Sequence, residues 1–355
     1  MHIPSRSVCN HSVAVVLLTL AFTVSGLADS CKEAQPRITA GYAALERADL
    51  GEAEKTFSAV KEAYPACNEV VLGLARVRAA AGNRRAAYQL FSRYLELAPK
   101  DARGFTFMAE FLLSAGDPRQ ADKLSARAVM LDGNDVKALI LRGRILGMKG
   151  DAAAAERMLR KAATLSPKNP EPHFQLGVLF DRRQQNQRAA DQFEQVIKLS
   201  PDDPRAYDYL ALSLEPLGQF ERAEWAYKKG LAVNRGAHFD AYLDYNYGRF
   251  LMKLNRLAEA GQHLDRAVKL APATRAVHFE QAKLSMKRGN YQEARHHAER
   301  ALKLKDPGGV ILDLQVYYLL SRIYSHLGEK ELAAKYTKLS QSSKVPASAR
   351  MRGGR

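Results

Sequence analysis

The chain runs to 355 residues, more than the roughly 250 that one hydrophobic core serves, which excludes a single globular core unless the architecture repeats. Its 54 Lys and Arg against 38 Asp and Glu give a net charge of +16, which points to an acidic partner, an anionic polymer or an anionic membrane surface, or to no more than a solvated basic exterior. It has neither a Gly-rich phosphate loop nor a Gly-x-Ser-x-Gly elbow, which removes those nucleotide-binding and hydrolase classes.

At the N-terminus Arg6 precedes an apolar stretch from Val13 to Val24, and Gly26 and Ala28 supply small residues for cleavage. Residues 1–28 therefore read as a secretory signal peptide. The stretch falls short of the ~20 apolar residues of a comfortable membrane span, although a retained anchor is the alternative. Cys31 raises lipidation, but Ala28 stands where the bacterial lipobox family places a leucine. Membrane contact is expected only through such an anchor. No Asn-x-Ser/Thr sequon follows Asn10, so export into a bacterial periplasm or the medium is the simplest expectation. Loss of Arg6 would take the net charge from +16 to +15.

Beyond this segment the chain repeats. Ala53, Ala87, Ala121, Ala155, Ala189 and Ala223 stand 34 residues apart, and Ala260 and Ala294 keep the interval after a small insertion. A fixed period of this length is the mark of an array. With the alanine at position 20, nine repeats begin at Ala34, Asn68, Ala102, Val136, Pro170, Pro204, Ala241, Arg275 and Leu314. Position 8 is small (Gly41, Ala75, Ala109, Gly143, Gly177, Ala211, Gly248, Ala282, Ser321), position 24 is often large and apolar, as in Phe57, Phe91 and Phe193, and position 32 is often proline, as in Pro65, Pro99 and Pro167.

Positions 4, 7, 8 and 11 lie at helical spacing, as in Leu139, Arg142, Gly143 and Leu146, and predict a first helix, A. Pairs such as Gly82-Asn83, Gly116-Asp117, Gly150-Asp151, Gly218-Gln219, Gly289-Asn290 and Gly328-Glu329 end it. There the glycine takes a left-handed cap and the polar residue caps a second helix, B. Helix B turns positions 20, 24 and 27 inward, and the position-32 proline stops it. Extra residues at His238 to Asp240 and at Gly309 to Asp313 predict longer loops.

Small, large and breaker residues at separate fixed offsets, from residue 34 to about 347, resemble the tetratricopeptide repeat family. The resemblance implies an all-α, right-handed solenoid of about nine helix-turn-helix repeats over residues 29–341. It also implies that the A helices line a concave surface into which positions 2, 5, 9, 12 and 13 point. Position 9 is basic at Arg76, Arg144, Arg249, Lys283 and Arg322, and position 5 is aromatic at Phe174, Tyr245, Phe279 and Tyr318. Tyr242, Lys253 and Lys287 extend this set. Guanidinium groups hold carboxylates bidentately and rings bury apolar area, so an extended acidic or aromatic-containing peptide is the expected ligand, although some of the rings would instead pack between helices. The regular N-terminal repeats read as a spacer. The clamp by which chaperone-binding members hold a terminal carboxylate, Lys at position 5 with Asn at position 9, is absent: those stations read Ile38 and Tyr42, Leu72 and Arg76, or Tyr245 and Arg249.

The remaining residues refine this picture. Export removes Cys9 and leaves Cys31 just before helix A and Cys67 just after helix B of the first repeat, at one end of an antiparallel hairpin; they form a disulfide there or are two unrelated thiols. His173, His238, His263, His278, His296, His297 and His326 contain no i, i+4 pair suited to a metal and read as surface residues. Carboxylates such as Glu52, Glu54 and Glu293 sit at helix B starts, favourable to the dipole. Leu332, Ala333, Tyr336 and Leu339 face inward on the last helix with Lys330, Lys335 and Lys338 outward, and 342–355 reads as a disordered basic tail. The expectation is a non-enzymatic, cofactor-free and metal-free scaffold for protein partners. Binding of an anionic polymer such as an exported polysaccharide is the alternative, and export disfavours nucleic acid.

Overall fold

A computed structural model describes residues 31–234, 240–306 and 309–342. The repeat positions correspond directly to helices. Helix α1 covers residues 31–46. It is followed by α2 (Leu50–Ala63), α3 (Glu69–Ala80), α4 (Arg84–Leu97), α5 (Ala102–Ser114), α6 (Pro118–Leu131), α7 (Val136–Lys149), α8 (Ala152–Leu165) and α9 (Glu171–Arg182). Then come α10 (Asn186–Leu199), α11 (Pro204–Leu214), α12 (Phe220–Val233), α13 (Asp240–Lys253), α14 (Leu257–Leu270), α15 (Arg275–Lys287), α16 (Tyr291–Lys303), α17 (Asp313–His326) and α18 (Lys330–Ser342). Odd-numbered helices are A and even-numbered ones B, and no strand occurs among the described residues. The signal-peptide segment, His238 and Phe239 of the first insertion, and the tail beyond Ser342 lie outside the described residues.

Two compact units divide the chain, Met1–Gln175 and Leu176–Arg355. In the first, Ile38, Phe57, Val60, Val70 and Leu74 form one buried cluster with Cys67, and Leu72, Phe91, Tyr94, Met108 and Ile145 form another. In the second, Leu319, Leu320, Ile323 and Tyr324 of α17 pack with Phe279 and the alanines of α16.

The small residues of position 8 are explained by what lies over them. A Cβ at Gly143 would come 2.6 Å from Leu159 Cγ, and one at Gly248 would come 2.7 Å from Leu264 Cγ, so position 24 of helix B rests on the backbone of helix A. Asn83, Asp117 and Asp151 cap their B helices, accepting from the Ala86, Gln120 and Ala154 amides. Gln219 and Asn290 fill the same place without a side-chain cap; Asn290 Nδ2 instead donates to Glu293 Oε2 at 3.4 Å.

Cys31 lies within α1 rather than before it, since the helix already includes this residue. A disulfide joins it to Cys67, with Cα atoms 5.0 Å apart. The second insertion separates Lys303 from Asp313, where Leu97 to Ala102 suffices in a regular repeat. Its Ile311 is buried, and the Ile311 amide donates to Asp306 Oδ2 at 2.7 Å.

Candidate interaction surface

The A helices of the second unit build two adjoining clefts. Arg249 and Lys253 stand one turn apart on α13, and Lys283 and Lys287 one turn apart on α15. Together with Met252 and Glu215 they line a cleft of about 320 Å³. Lys283 also borders a second cleft of about 540 Å³, walled by Phe279, Leu314, Tyr318, Leu319 and Arg322.

Glu215 reaches the first cleft because Pro216 cannot continue α11, and the chain tightens into a 3₁₀ turn at Glu215–Leu217. Its carboxylate accepts a hydrogen bond from the buried Tyr227 hydroxyl at 2.7 Å and lies 3.8 Å from Arg249 and 3.6 Å from Lys253. Lys283 Nζ is held by Glu280, 2.8 Å from Oε2. Lys287 is exposed and forms no ion pair or hydrogen bond among the described residues. Four cations against two carboxylates leave the cleft with two unbalanced positive charges. Behind it, Asn246 Nδ2 donates to both oxygens of buried Asp208 at 3.0 Å. Burial pushes the Asp208 carboxyl up to about 7, with Asn246 and Arg249 pulling the other way and Glu215 adding to the rise. Burial, helped by the Glu280 carboxylate, likewise pushes the Tyr245 phenol up to about 12.

In the second cleft Tyr318 is 58% exposed and the Arg322 guanidinium lies 5.9 Å from its ring centre, a cation–π pair open to solvent. Phe279 is a correction to the sequence reading: the ring is 8% exposed and belongs to the α15–α17 core, presenting only part of itself to the cleft. Phe174 is corrected more fully, being 7% exposed inside the first unit. Position 5 adjoins the buried positions 4 and 8, and a large ring there gains more by turning between helices than by facing water. Tyr245 and Arg249 are half-buried, while Tyr242 is 60% exposed.

The first unit has chemistry of its own on its A helices. Arg76 lies over Tyr42 at 4.9 Å and over Phe107 at 4.2 Å, and Lys137 lies over Phe107 at 4.2 Å. The Arg76 guanidinium is thus engaged by two rings. Arg144 is exposed in a cleft of about 560 Å³, where Glu110, Asp135 and Glu171 outnumber Lys137 and Arg144. This cleft therefore lacks the cationic surplus of the second unit.

Sequence spacing brought together Arg249, Lys253, Lys283 and Lys287 but missed Glu215, Glu280 and Asp208. The one available signal was Pro216, inside an A helix at position 13. The histidines also depart from a surface reading. His278 is buried, with Nδ1 3.0 Å from His297 Nδ1 and Nε2 3.0 Å from the Pro272 carbonyl. His263 Nδ1 lies 2.6 Å from Asp244 Oδ1. No group of three or more metal-ligating side chains occurs among the described residues.

Paired helices, small residues of one helix lying under large ones of the next, and A helices bearing clustered charge define a helical repeat scaffold. Models of the tetratricopeptide repeat match residues 38–102, 148–212, 210–273, 276–306 and 314–342, and the chain belongs to the tetratricopeptide repeat family. Members of this family generally serve as non-catalytic scaffolds for binding other proteins. The fold is similar to that of the human IFIT1 dimer with m7Gppp-AAAA, at 18% identity and a TM-score of 0.63 over 87% of this chain and 71% of that one. It is similar also to the APC/C hetero-tetramer Cut9-Hcn1, at 16% identity and a TM-score of 0.62 over 77% of this chain and 52% of that one. A tetratricopeptide repeat protein from Parabacteroides merdae matches at 18% identity and a TM-score of 0.54, over 72% of this chain and 99% of its own. At these identities the likeness is one of fold alone. No curated protein matches the sequence.

Proposed function

We propose that the protein is a non-catalytic scaffold of the bacterial cell envelope that holds extended acidic or aromatic-containing segments of partner proteins against the A helices of its second unit. The carrying observation is the pair of clefts sharing Lys283, one with a surplus of cations and the other with an open Tyr318–Arg322 pair. Fixed cations favour carboxylates, and an aromatic wall rewards an apolar side chain, so one segment gains from both. The signal-peptide reading of residues 1–28 and the Cys31–Cys67 disulfide support an exported, oxidising setting.

The overall charge of +16 supports a second reading, an anionic polymer such as a polysaccharide bound within an export complex. Salt separates the two. Polymer binding falls steeply from low to moderate ionic strength, whereas a complex anchored by aromatic burial loses less. In capture from envelope extract, the double variant Tyr318→Ala, Arg322→Ala is expected to lose partners that the wild type retains at moderate salt. Capture unchanged by the double variant would overturn the groove reading.

A further inference from the structure

The two clefts of the second unit differ in what they hold, and their order constrains a ligand. Helices α13, α15 and α17 pack in succession, and neighbouring helix axes lie roughly 8–10 Å apart. An extended segment advances about 3.3 Å per residue, so a step from one cleft to the next takes about three residues. In the first cleft the surplus of two positive charges is already net of Glu215 and Glu280. One carboxylate would leave it half-balanced. Two carboxylates at alternate positions of an extended segment point to the same side and balance it.

Resting on the scaffold reading above, we propose that the second unit recognises a bipartite segment. Two carboxylates spaced two residues apart sit among Arg249, Lys253, Lys283 and Lys287, and an aromatic or large apolar side chain about three residues from their midpoint enters the cleft of Tyr318 and Arg322. Lys283, on the border, is in reach of both parts. Glu215 and Glu280 hold three of the cations in place before a ligand arrives, so little side-chain freedom is lost on binding. They also compete with the ligand, which rejects singly charged segments.

Fluorescence anisotropy with labelled nine-residue peptides on the full chain tests this. The parent peptide carries glutamates at its third and fifth positions and phenylalanine at its seventh, with serine elsewhere. Changing both glutamates to glutamine is expected to weaken binding tenfold or more, and moving the phenylalanine to the sixth position, on the opposite side, about fivefold. Lys287→Gln should weaken the parent peptide and leave the glutamine peptide unaffected. Tyr318→Ala should weaken the parent and leave a phenylalanine-to-serine peptide unaffected. Glu215→Gln, which keeps an acceptor for Tyr227, should tighten the parent by removing the competing charge. A gain for Glu215→Gln is an effect that mere structural damage does not produce.

Equal binding of the parent and the shifted peptide would overturn the spacing. Tighter binding of a peptide carrying one phosphoserine at the fifth position, with serine at the third, would replace the carboxylate pair with a compact dianion and overturn the proposal. If no peptide binds while Tyr318→Ala, Arg322→Ala still abolishes partner capture, the bipartite motif falls and the scaffold reading stands. If capture is also indifferent, both fall.

Discussion

At position 15 of all nine repeats the backbone turns through positive φ. Six repeats use glycine there, from Gly82 to Gly328, and three use Ala48 (φ 58), Gln184 (φ 60) and Asn255 (φ 62). A side chain in this conformation costs roughly 1–2 kcal/mol, least for asparagine, which tolerates it. Ala48→Gly should therefore stabilise the fold by about 0.5–1 kcal/mol after the greater unfolded-state freedom of glycine is counted. A higher urea midpoint checks it, and Asn255→Gly should gain less. Six of these turns were legible as Gly-polar pairs. The other three were not, because hairpin packing imposes the conformation against local preference. Phe174 and Phe279 failed for a related reason: helical spacing assigns a residue to a face, whereas a ring at the edge of that face turns toward whichever side buries it.

Between elements, the buried contact of α11 with α13 carries a pH dependence. The folded Asp208 carboxyl stands at about 7 through burial, above its ordinary unfolded value of about 3.9. A raised value favours the folded state at low pH, and that contribution is lost as pH rises from about 4 through about 7. Asp208→Asn should therefore stabilise by roughly 1–3 kcal/mol at pH 8, a gain that fades toward pH 4, as read from denaturation midpoints of variant and wild type at each pH. His278 and His297 act in the opposite direction. Burial lowers both, helped at His297 by the His278 charge, so they cost stability as pH falls below about 6.5. The difference between variant and wild type cancels them. Helix positions, breaks and the second insertion were legible from period and proline. The Asp208–Asn246 contact was not, because the partners are 38 residues apart and neither stands at a position where polarity has a local purpose.

For the whole molecule, a repeat array contacts only its neighbours, so a local loss stays local. The disulfide closes 36 residues of the first hairpin, a constraint worth roughly 3 to 4 kcal/mol. Its reduction should speed amide exchange in α1 and α2 while the emission of Trp225, the single tryptophan, in the second unit, stays unchanged. A shift in that emission would show that the loss spreads. The period of 34 made the number and starts of the repeats legible. The contrast between a mixed-charge cleft in the first unit and a cationic one in the second was not, because it depends on which carboxylates the fold returns to each cleft.

The two sulfurs of that bridge are unequal. Cys31 is half-buried, whereas Cys67 is 2% exposed among Ile38, Phe57 and Val70. An incoming thiolate must strike one sulfur and expel the other, and only Cys31 is open to attack. The departing group is then Cys67 as a thiolate inside an apolar cluster, where its charge is poorly solvated and it leaves slowly. The cross-link is guarded by reaction direction, and a reductant gains ready access only when the first hairpin opens.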